Sequence, residues 1–287
     1  MIGNSSVHRA GSTSTTKIVR GLNAATRIVR STLQTRSLTY LRLYVLAKRI
    51  PYYVPGVFRF PFGPVHYVDI GSLPFLYYEI FIDGIYEFTT GETSPRIIDC
   101  GGNIGMSTIW FTQHYRKARI TTFEADPTIA DTLIANVRSL RLDRSDVVQA
   151  AVSSHSGTVT FSSDGAIGGR IAVGSGVSVS CVRLSDYINE QVDLLKLDIE
   201  GSEFEVITDL CVTGKIDLVQ RIVCEVHGRS DTQARMDDLW ADLTSAGFHL
   251  TVNWAKAATD APDPVHSTPF PNVASSEFVL LLYAWKP

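Results

Sequence analysis

The sequence predicts a doubly wound α/β fold, a mostly parallel sheet with helices on both faces, behind a helical N-terminal extension. Three observations carry that prediction. From residue 96 onward, short apolar runs alternate with segments of helical periodicity. The first run passes through a glycine-rich turn, Gly101-Gly102-Asn103-Ile104-Gly105, into a helix. The chain has 287 residues, 45% hydrophobic and 19% charged, and so can bury a sheet on both faces.

Taken in order, residues 3–16 are rich in Gly, Ser and Thr and read as disordered. Ile18, Leu22, Ala25, Val29 and Leu33 recur at helical spacing, so residues 17–49 read as one or two basic helices. Pro51, Pro55, Pro61 and Pro64 argue for an irregular approach. Residues 1–64 are thus expected to form an extension and 65–287 the ligand-binding domain. Residues 65–70 read as a strand, and the aromatic segment 75–88 as a helix that could cover a ligand.

Strands are expected at 96–100, 119–123 and 147–152, with helices at 104–115 and 127–140. Residues 158–162 and 177–182 are strand-like arms around a Gly-rich segment, in which Arg170 could serve a flap over an acceptor. Residues 194–199 and 221–226 read as buried strands. A helix over 231–246 ends at Gly247, the expected C-cap. Strands at 248–254 and 278–285 close the chain.

Composition narrows the function. Residues 1–50 hold nine Lys/Arg and no Asp/Glu, which leaves 17 basic and 29 acidic residues, net −12, for the remainder. A basic arm on an acidic body can touch an anionic membrane, or dock on the acidic body of its own or a partner subunit. Nucleic acid is disfavoured, because the body is acidic and lacks interleaved basic and aromatic residues. Cys100, Cys181, Cys211 and Cys224 show no C-x-x-C spacing and read as reduced core residues, which points to a cytoplasmic protein. No apolar run is long enough to span a membrane.

The glycine turn lies where a strand hands over to a helix, and there free N–H groups can meet an anion. Counted from Gly101, a dinucleotide fingerprint would need glycine at 103 and 106, where the chain has Asn103 and Met106. A turn of this D-x-G-x-N-x-G form, ending at Gly105, suits a ligand without pyrophosphate. Asp99 could accept a hydrogen bond from an ammonium group at the strand tip. Glu124, about 20 residues beyond the glycines, could take both ribose hydroxyls of a nucleoside. That role fits NAD and S-adenosylmethionine alike, and a carboxylate beside Asp126-Pro127 could also simply start the next helix.

Two charged strands follow. Lys196, Asp198 and Glu200 share one face of their strand, as do Glu225 and His227 of theirs. Charges on buried strands are costly unless paired or used. If the strands are neighbours, these five residues converge in the crevice at the carboxyl ends. A structural Lys196–Glu225 pair is the alternative.

Four segments together resemble the FkbM family of methyltransferases. They are Ile98-Asp99-Cys100-Gly101-Gly102-Asn103-Ile104-Gly105, Phe123-Glu124-Ala125-Asp126-Pro127, Ala151-Val152 before Gly157, and Asp193-Leu194-Leu195-Lys196-Leu197-Asp198-Ile199-Glu200-Gly201-Ser202-Glu203. The resemblance spans about Arg96 to His227, and its specific part is the Lys-x-Asp-x-Glu-Gly-x-Glu run. The family usually has alanine where this chain has Gly102.

The resemblance implies a Rossmann-like, seven-stranded class I methyltransferase fold and S-adenosylmethionine as cofactor. It also implies methylation of a hydroxyl on a sugar, glycosylated metabolite or other natural product. The expected cofactor site is Asp99, Gly101, Gly102, Asn103, Gly105, Glu124, Ala125, Ala151 and Asp198. A hydroxyl needs a base or a metal at neutral pH. His227 is the expected base, with Lys196, Asp198, Glu200 and Glu225 around it as supports or as ligands of Mg or Mn. The rivals are a nicotinamide-dependent oxidoreductase and a non-catalytic S-adenosylmethionine-binding module.

Overall fold

The computed structural model describes residues 37–162, 170–171, 176–229, 233–254 and 277–287. The expected disorder at 3–16, the helix over 17–36, the flap at 165–169 and the loop at 255–275 lie outside the described residues.

A seven-stranded sheet forms the centre. Its strands are β3 (Arg96–Cys100), β4 (Arg119–Glu124), β5 (Ser145–Gln149), β10 (Leu194–Leu197), β11 (Arg221–Arg229), β12 (His249–Trp254) and β13 (Glu277–Trp285). The order is β12-β13-β11-β10-β3-β4-β5, and only β13 runs antiparallel to its neighbours. The chain winds outward from β3 through β4 to β5, then returns to β10 on the other flank of β3. That reversal opens a crevice beside the carboxyl end of β3.

Alternation along the strands sends residues to two cores. Ile98, Leu195, Leu197, Ile222 and Cys224 face α5 (Glu203–Val212) and α6 (Gln233–Ser245). Ile97, Ile120, Leu194 and Val223 face the other way, toward α3 (Met106–His114) and the N-terminal elements. Both faces are apolar because both are covered. Helix α4 (Pro127–Ser139) starts at Asp126, whose carboxylate accepts from the Thr128 and Ile129 amides at 2.8 and 3.2 Å. The sequence reading missed α5, a short apolar helix entered through the charged Glu200-Gly201 turn.

Three expectations need correction. Residues 51–64 are not wholly irregular, because β1 (Gly56–Phe60) pairs there with β2 (Gly63–Tyr67) as a hairpin. Phe58 and Phe60 alternate with exposed Val57 and Arg59, and the prolines fall outside β1, at its turn or near the start of β2. Asn136 fastens this hairpin to the domain. Its side chain accepts from the His66 amide at 2.7 Å and donates to the carbonyls of His66 and Ile104 at 3.0 and 2.8 Å.

The expected strand 147–152 breaks at Ala150, whose amide turns back to the Val148 carbonyl at 3.0 Å. Beyond it β6 (Ala151–Ser153) joins a separate sheet, β6-β9-β7-β8, with β7 at Gly157–Ser162, β8 at Arg170–Ile171 and β9 at Val177–Arg183. The segment 75–88 is not one helix either. Helix α2 (Leu73–Tyr77) widens into a π-helical turn over Tyr78–Ile82.

At the N-terminus, α1 (Leu38–Ala47) buries Leu43 and stacks Arg42 over the Phe58 ring at 5.6 Å. Among the described residues, no helix is long and apolar enough to cross a membrane.

Candidate active site

The glycine turn is shaped by its neighbours. The amides of Gly101 and Gly102 donate to the Phe123 carbonyl at 3.0 and 2.9 Å, which ties the turn to β4. On the other side Gly101, at φ +86°, lies so close to β10 that a Cβ there would sit 1.8 Å from the Asp198 carbonyl oxygen. Only glycine permits both the conformation and the approach.

Gly102 and Gly105 face inward, against Thr122 and Leu133, rather than toward the cleft. The Thr122 Cγ2 methyl occupies the space that an alanine at 102 would take, 2.1 Å from the ideal Cβ position. The departure from the family's alanine therefore does not loosen the turn, since β4 supplies the missing methyl. Gly102→Ala is expected to cost about 1–3 kcal/mol by overpacking. The double change Gly102→Ala/Thr122→Ser should recover most of that, as it removes the methyl and keeps the hydroxyl paired with Thr108. Urea denaturation of the two variants checks this, and a single variant as stable as the parent would refute it.

Asp99 and Lys196 lie beneath the turn, fully buried. Asp99 Oδ2 accepts from Ser107 at 2.6 Å and Thr108 at 3.3 Å, while Oδ1 is 3.1 Å from Lys196 Nζ. That ion pair is not aligned as a hydrogen bond, so Oδ1 lacks a directed donor among the described residues. Lys196 instead donates to the Gly101 carbonyl at 2.8 Å. Burial opposes its charge, but Asp99, Tyr86 and Asp198 outweigh burial and raise its pKa well above the lysine value.

Two expectations change here. Asp99 is turned into the sheet and does not reach the cleft wall. Lys196 pairs with Asp99 rather than Glu225, because its side chain leans toward β3, and it is a buried staple rather than a group exposed to a substrate.

The cleft encloses about 980 Å³, part of it open to solvent. Of the expected residues, Gly101, Asn103, Glu124, Ala125, Ala151, Asp198, Glu200 and Glu225 line it. Glu124 closes β4 with its carboxylate at the wall. Its oxygens accept from the Asn103 amide at 2.8 Å and the Asp126 amide at 2.9 Å. Burial raises its pKa to about 7, against the lowering effect of those two amides. Phe123, Ile129, Val152 and Phe161 make an apolar slot beside it.

At the other end, Asp198, Glu200, Glu225 and His227 converge as β10 and β11 pair in parallel. His227 Nε2 lies 3.4 Å from Glu200 and 3.5 Å from Glu225, and Nδ1 lies 3.2 Å from Glu203. Burial disfavours the charged ring, but Glu203, Glu225 and Glu200 together push its pKa up to about 11.

The expectation of His227 as the base is corrected on this point. Three carboxylates surround the ring and favour its charged form, and it does not line the cleft. Burial instead raises the carboxyls around it, Asp198 to about 6 and Glu200 to about 7, partly offset by Lys196 and His227 respectively. Ligand atoms of Asp198, Glu200 and His227 lie within 4.8 Å of one another, so these three could hold a divalent cation.

Sequence reasoning gave no separate role to two residues of this region. Glu203 is fully buried at the start of α5 and accepts from the Ile199 and Gly201 amides, at 3.1 and 3.0 Å, as well as from His227. It was visible as the last residue of the Lys-x-Asp-x-Glu-Gly-x-Glu run. Glu79 also lines the cleft. Its acidic side chain within an aromatic segment was the available signal.

The model of the FkbM methyltransferase domain matches residues 99–250. Methyltransferase sdnD of Sordaria araneosa is 27% identical over 230 residues, 65% of this chain and 86% of that protein. The 31-O-demethyl-FK506 methyltransferase FkbM of Streptomyces tacrolimicus is 30% identical over 233 residues, 66% of this chain and 87% of that one. The crystal structure of methyltransferase FkbM from Methylobacillus flagellatus KT is similar at a TM-score of 0.46 and 14% identity, over 85% of this chain and 58% of that one. With more than half of its length matched to that domain, this chain belongs to the FkbM family of methyltransferases.

Proposed function

We propose that the protein transfers a methyl group from S-adenosylmethionine to a hydroxyl of a natural-product or glycosylated acceptor. The observation that carries this reading is the Glu124 carboxylate at the tip of β4, flanked by the Gly101 turn and an apolar slot. The residues fit the cofactor. Glu124 can accept from both ribose hydroxyls, Asn103 lies beside it, and Ala125 and Ala151 leave room for adenine against Phe123 and Val152. Asp198, with its neighbouring carboxylates, favours the cationic end. When bound, S-adenosylmethionine supplies a methyl group activated by its sulfonium charge.

The protein's own contribution is to hold that cation against a carboxylate-rich wall and to orient an acceptor oxygen. A hydroxyl acceptor follows the Streptomyces relative, whose name specifies a methylated oxygen. A second reading rests on the convergence of Asp198, Glu200 and His227. These three residues would hold a Mg or Mn ion, with the His227 ring neutral, and the ion would supply Lewis acidity to the hydroxyl. Loss of activity on chelation, restored by either ion, would favour it.

Calorimetric titration with S-adenosylmethionine, S-adenosylhomocysteine and NAD tests the cofactor assignment. The first two should bind and NAD should not. Glu124→Ala should weaken S-adenosylmethionine binding by about 1–3 kcal/mol while the fold survives. Protonated Glu124 loses acceptor capacity, so wild-type affinity should fall as pH drops below about 7 and stay flat in the variant. Normal binding by Glu124→Ala would place the nucleoside elsewhere.

For the acceptor, purified protein is offered 31-O-demethyl-FK506, a hydroxylated terpenoid, an apolar glycoside and free glucose. A gain of one methylene in mass, with a methoxy signal by NMR, marks O-methylation. A methyl group found only on nitrogen or carbon would refute the hydroxyl assignment.

A further inference from the structure

A second, open groove adjoins the cofactor cleft, and Phe75, Glu79 and Glu225 line both. It runs over β11 and β13, where Val223 pairs with Tyr283 and Glu225 with Leu281. Phe88 and the half-exposed Trp285 flank this largely apolar floor, and Asp83, Glu87 and Arg221 add charges to the groove's lining. The groove and its open mouth span about 2120 Å³.

The carboxylates at the junction differ in what they are free to do. Glu225 faces His227 at 3.5 Å, and Glu203 and Glu124 accept backbone amides. The Glu79 carboxylate makes no hydrogen bond or ion pair with any described residue, yet the side chain is partly buried. It sits in the π-helical turn that follows α2, and such turns recur at functional sites because they displace a side chain from the regular helical face.

We infer that Glu79 is a catalytic carboxylate that takes the proton of an acceptor hydroxyl presented from the aromatic groove. The acceptor class is then an alcohol on a bulky, largely apolar body. This inference rests on the methyl-transfer reading above. The step balances. The acceptor O–H bond breaks and its proton passes to the Glu79 carboxylate. The oxygen forms a bond to the methyl carbon, the methyl–sulfur bond breaks, and its electron pair stays on sulfur. A methyl ether and a neutral thioether leave, and Glu79 returns the proton to solvent.

The groups around Glu79 suit this work. Glu225 from β11, Asp198 from the end of β10 and Asp83 from the end of the π-helical turn face it, with Tyr283 of β13 nearby. Burial, followed by the three carboxylates, raises its pKa to about 8. When ionised it is a stronger base than an ordinary carboxylate.

Glu79→Gln tests the role, because it keeps the shape and removes the basicity. With the bulky alcohol that gives most methyl ether in the screen above, kcat should fall by roughly 10²–10⁴-fold, with KM nearly unchanged. Glu79→Asp should restore part of it. An independent readout needs no acceptor. In ¹³C-carboxyl NMR of the S-adenosylhomocysteine complex, several resonances should titrate above the ordinary carboxylate range, and the one that vanishes in Glu79→Gln should be among them.

Wild-type turnover in Glu79→Gln, or a Glu79 carboxyl titrating in the ordinary range, overturns the role. Preference for free glucose over the bulky alcohols overturns the groove assignment. A wild-type protein that binds S-adenosylhomocysteine yet shows either result loses only this inference. A wild-type protein that binds no S-adenosylhomocysteine loses the cofactor reading as well.

Discussion

Lys196→Met is expected to destabilise the protein by about 3–5 kcal/mol, the range for breaking a buried ion pair from one side. Methionine nearly matches the lysine stem, so packing is conserved and the loss is electrostatic. The Asp99 carboxyl would be left fully buried with only Ser107 and Thr108 as donors. The Gly101 carbonyl would lose its donor at the same time. The turn and its staple therefore fail together. The double change Lys196→Met/Asp99→Leu should recover stability, because it removes both charges, while the cofactor turn stays loose. Denaturant midpoints of the single and double variants measure this. A Lys196→Met protein within about 1 kcal/mol of the wild type would show that the pair is not what holds the turn.

Glu203→Ala should have a comparable effect for a different reason. The carboxylate gathers the amides of the Glu200-Gly201 turn and the His227 ring at the start of α5, where the helix dipole also favours an anion. Its removal leaves those donors unmatched and is expected to cost on the order of 3 kcal/mol.

The change also moves His227. In the wild type the ring's pKa is raised from 6.5 to about 11. A folded value above the unfolded one means that this charge contributes in full below pH 6.5 and is lost as pH rises toward 11. In Glu203→Ala the pKa should drop back toward the ordinary value, and the alkaline loss of stability attributable to His227 should shrink. Imidazole NMR titration in EDTA, with denaturation at neutral and alkaline pH, reads both. A His227 ring that titrates unchanged in the variant would show that Glu200 and Glu225 suffice to hold its proton.

Much of the architecture was legible because its signals are local. The apolar runs before Gly101 and Glu124 read as strands, and Asp126-Pro127 marked the start of a helix, each within a few residues. The charges on the two buried strands suggested that β10 and β11 are neighbours, and the structure pairs them in parallel. The misses share a cause. The break at Ala150 and the hairpin at 56–67 depend on which sheet edge or helix a segment meets, as Asn136 does for the hairpin. The π-helical turn that places Glu79 has the same apolar spacing as a plain helix over a few residues.

By itself the sequence determined the class of the fold, the glycine turn at the tip of β3, and the acidic residue at the end of β4. It also singled out five ionisable side chains that would gather at the carboxyl ends of two strands if those strands were neighbours. Tertiary structure alone decided how those charges divide. Lys196 went to Asp99, beneath the turn, because β3 and β10 are neighbours. The His227 ring has its pKa raised because Glu203, Glu225 and Glu200 surround it. The carboxylate of Glu79, from a segment far away in the chain, was left at the cleft without a partner among the described residues. Ionisation depends on the field of every charge within a few ångströms, and residue spacing along the chain does not encode that field.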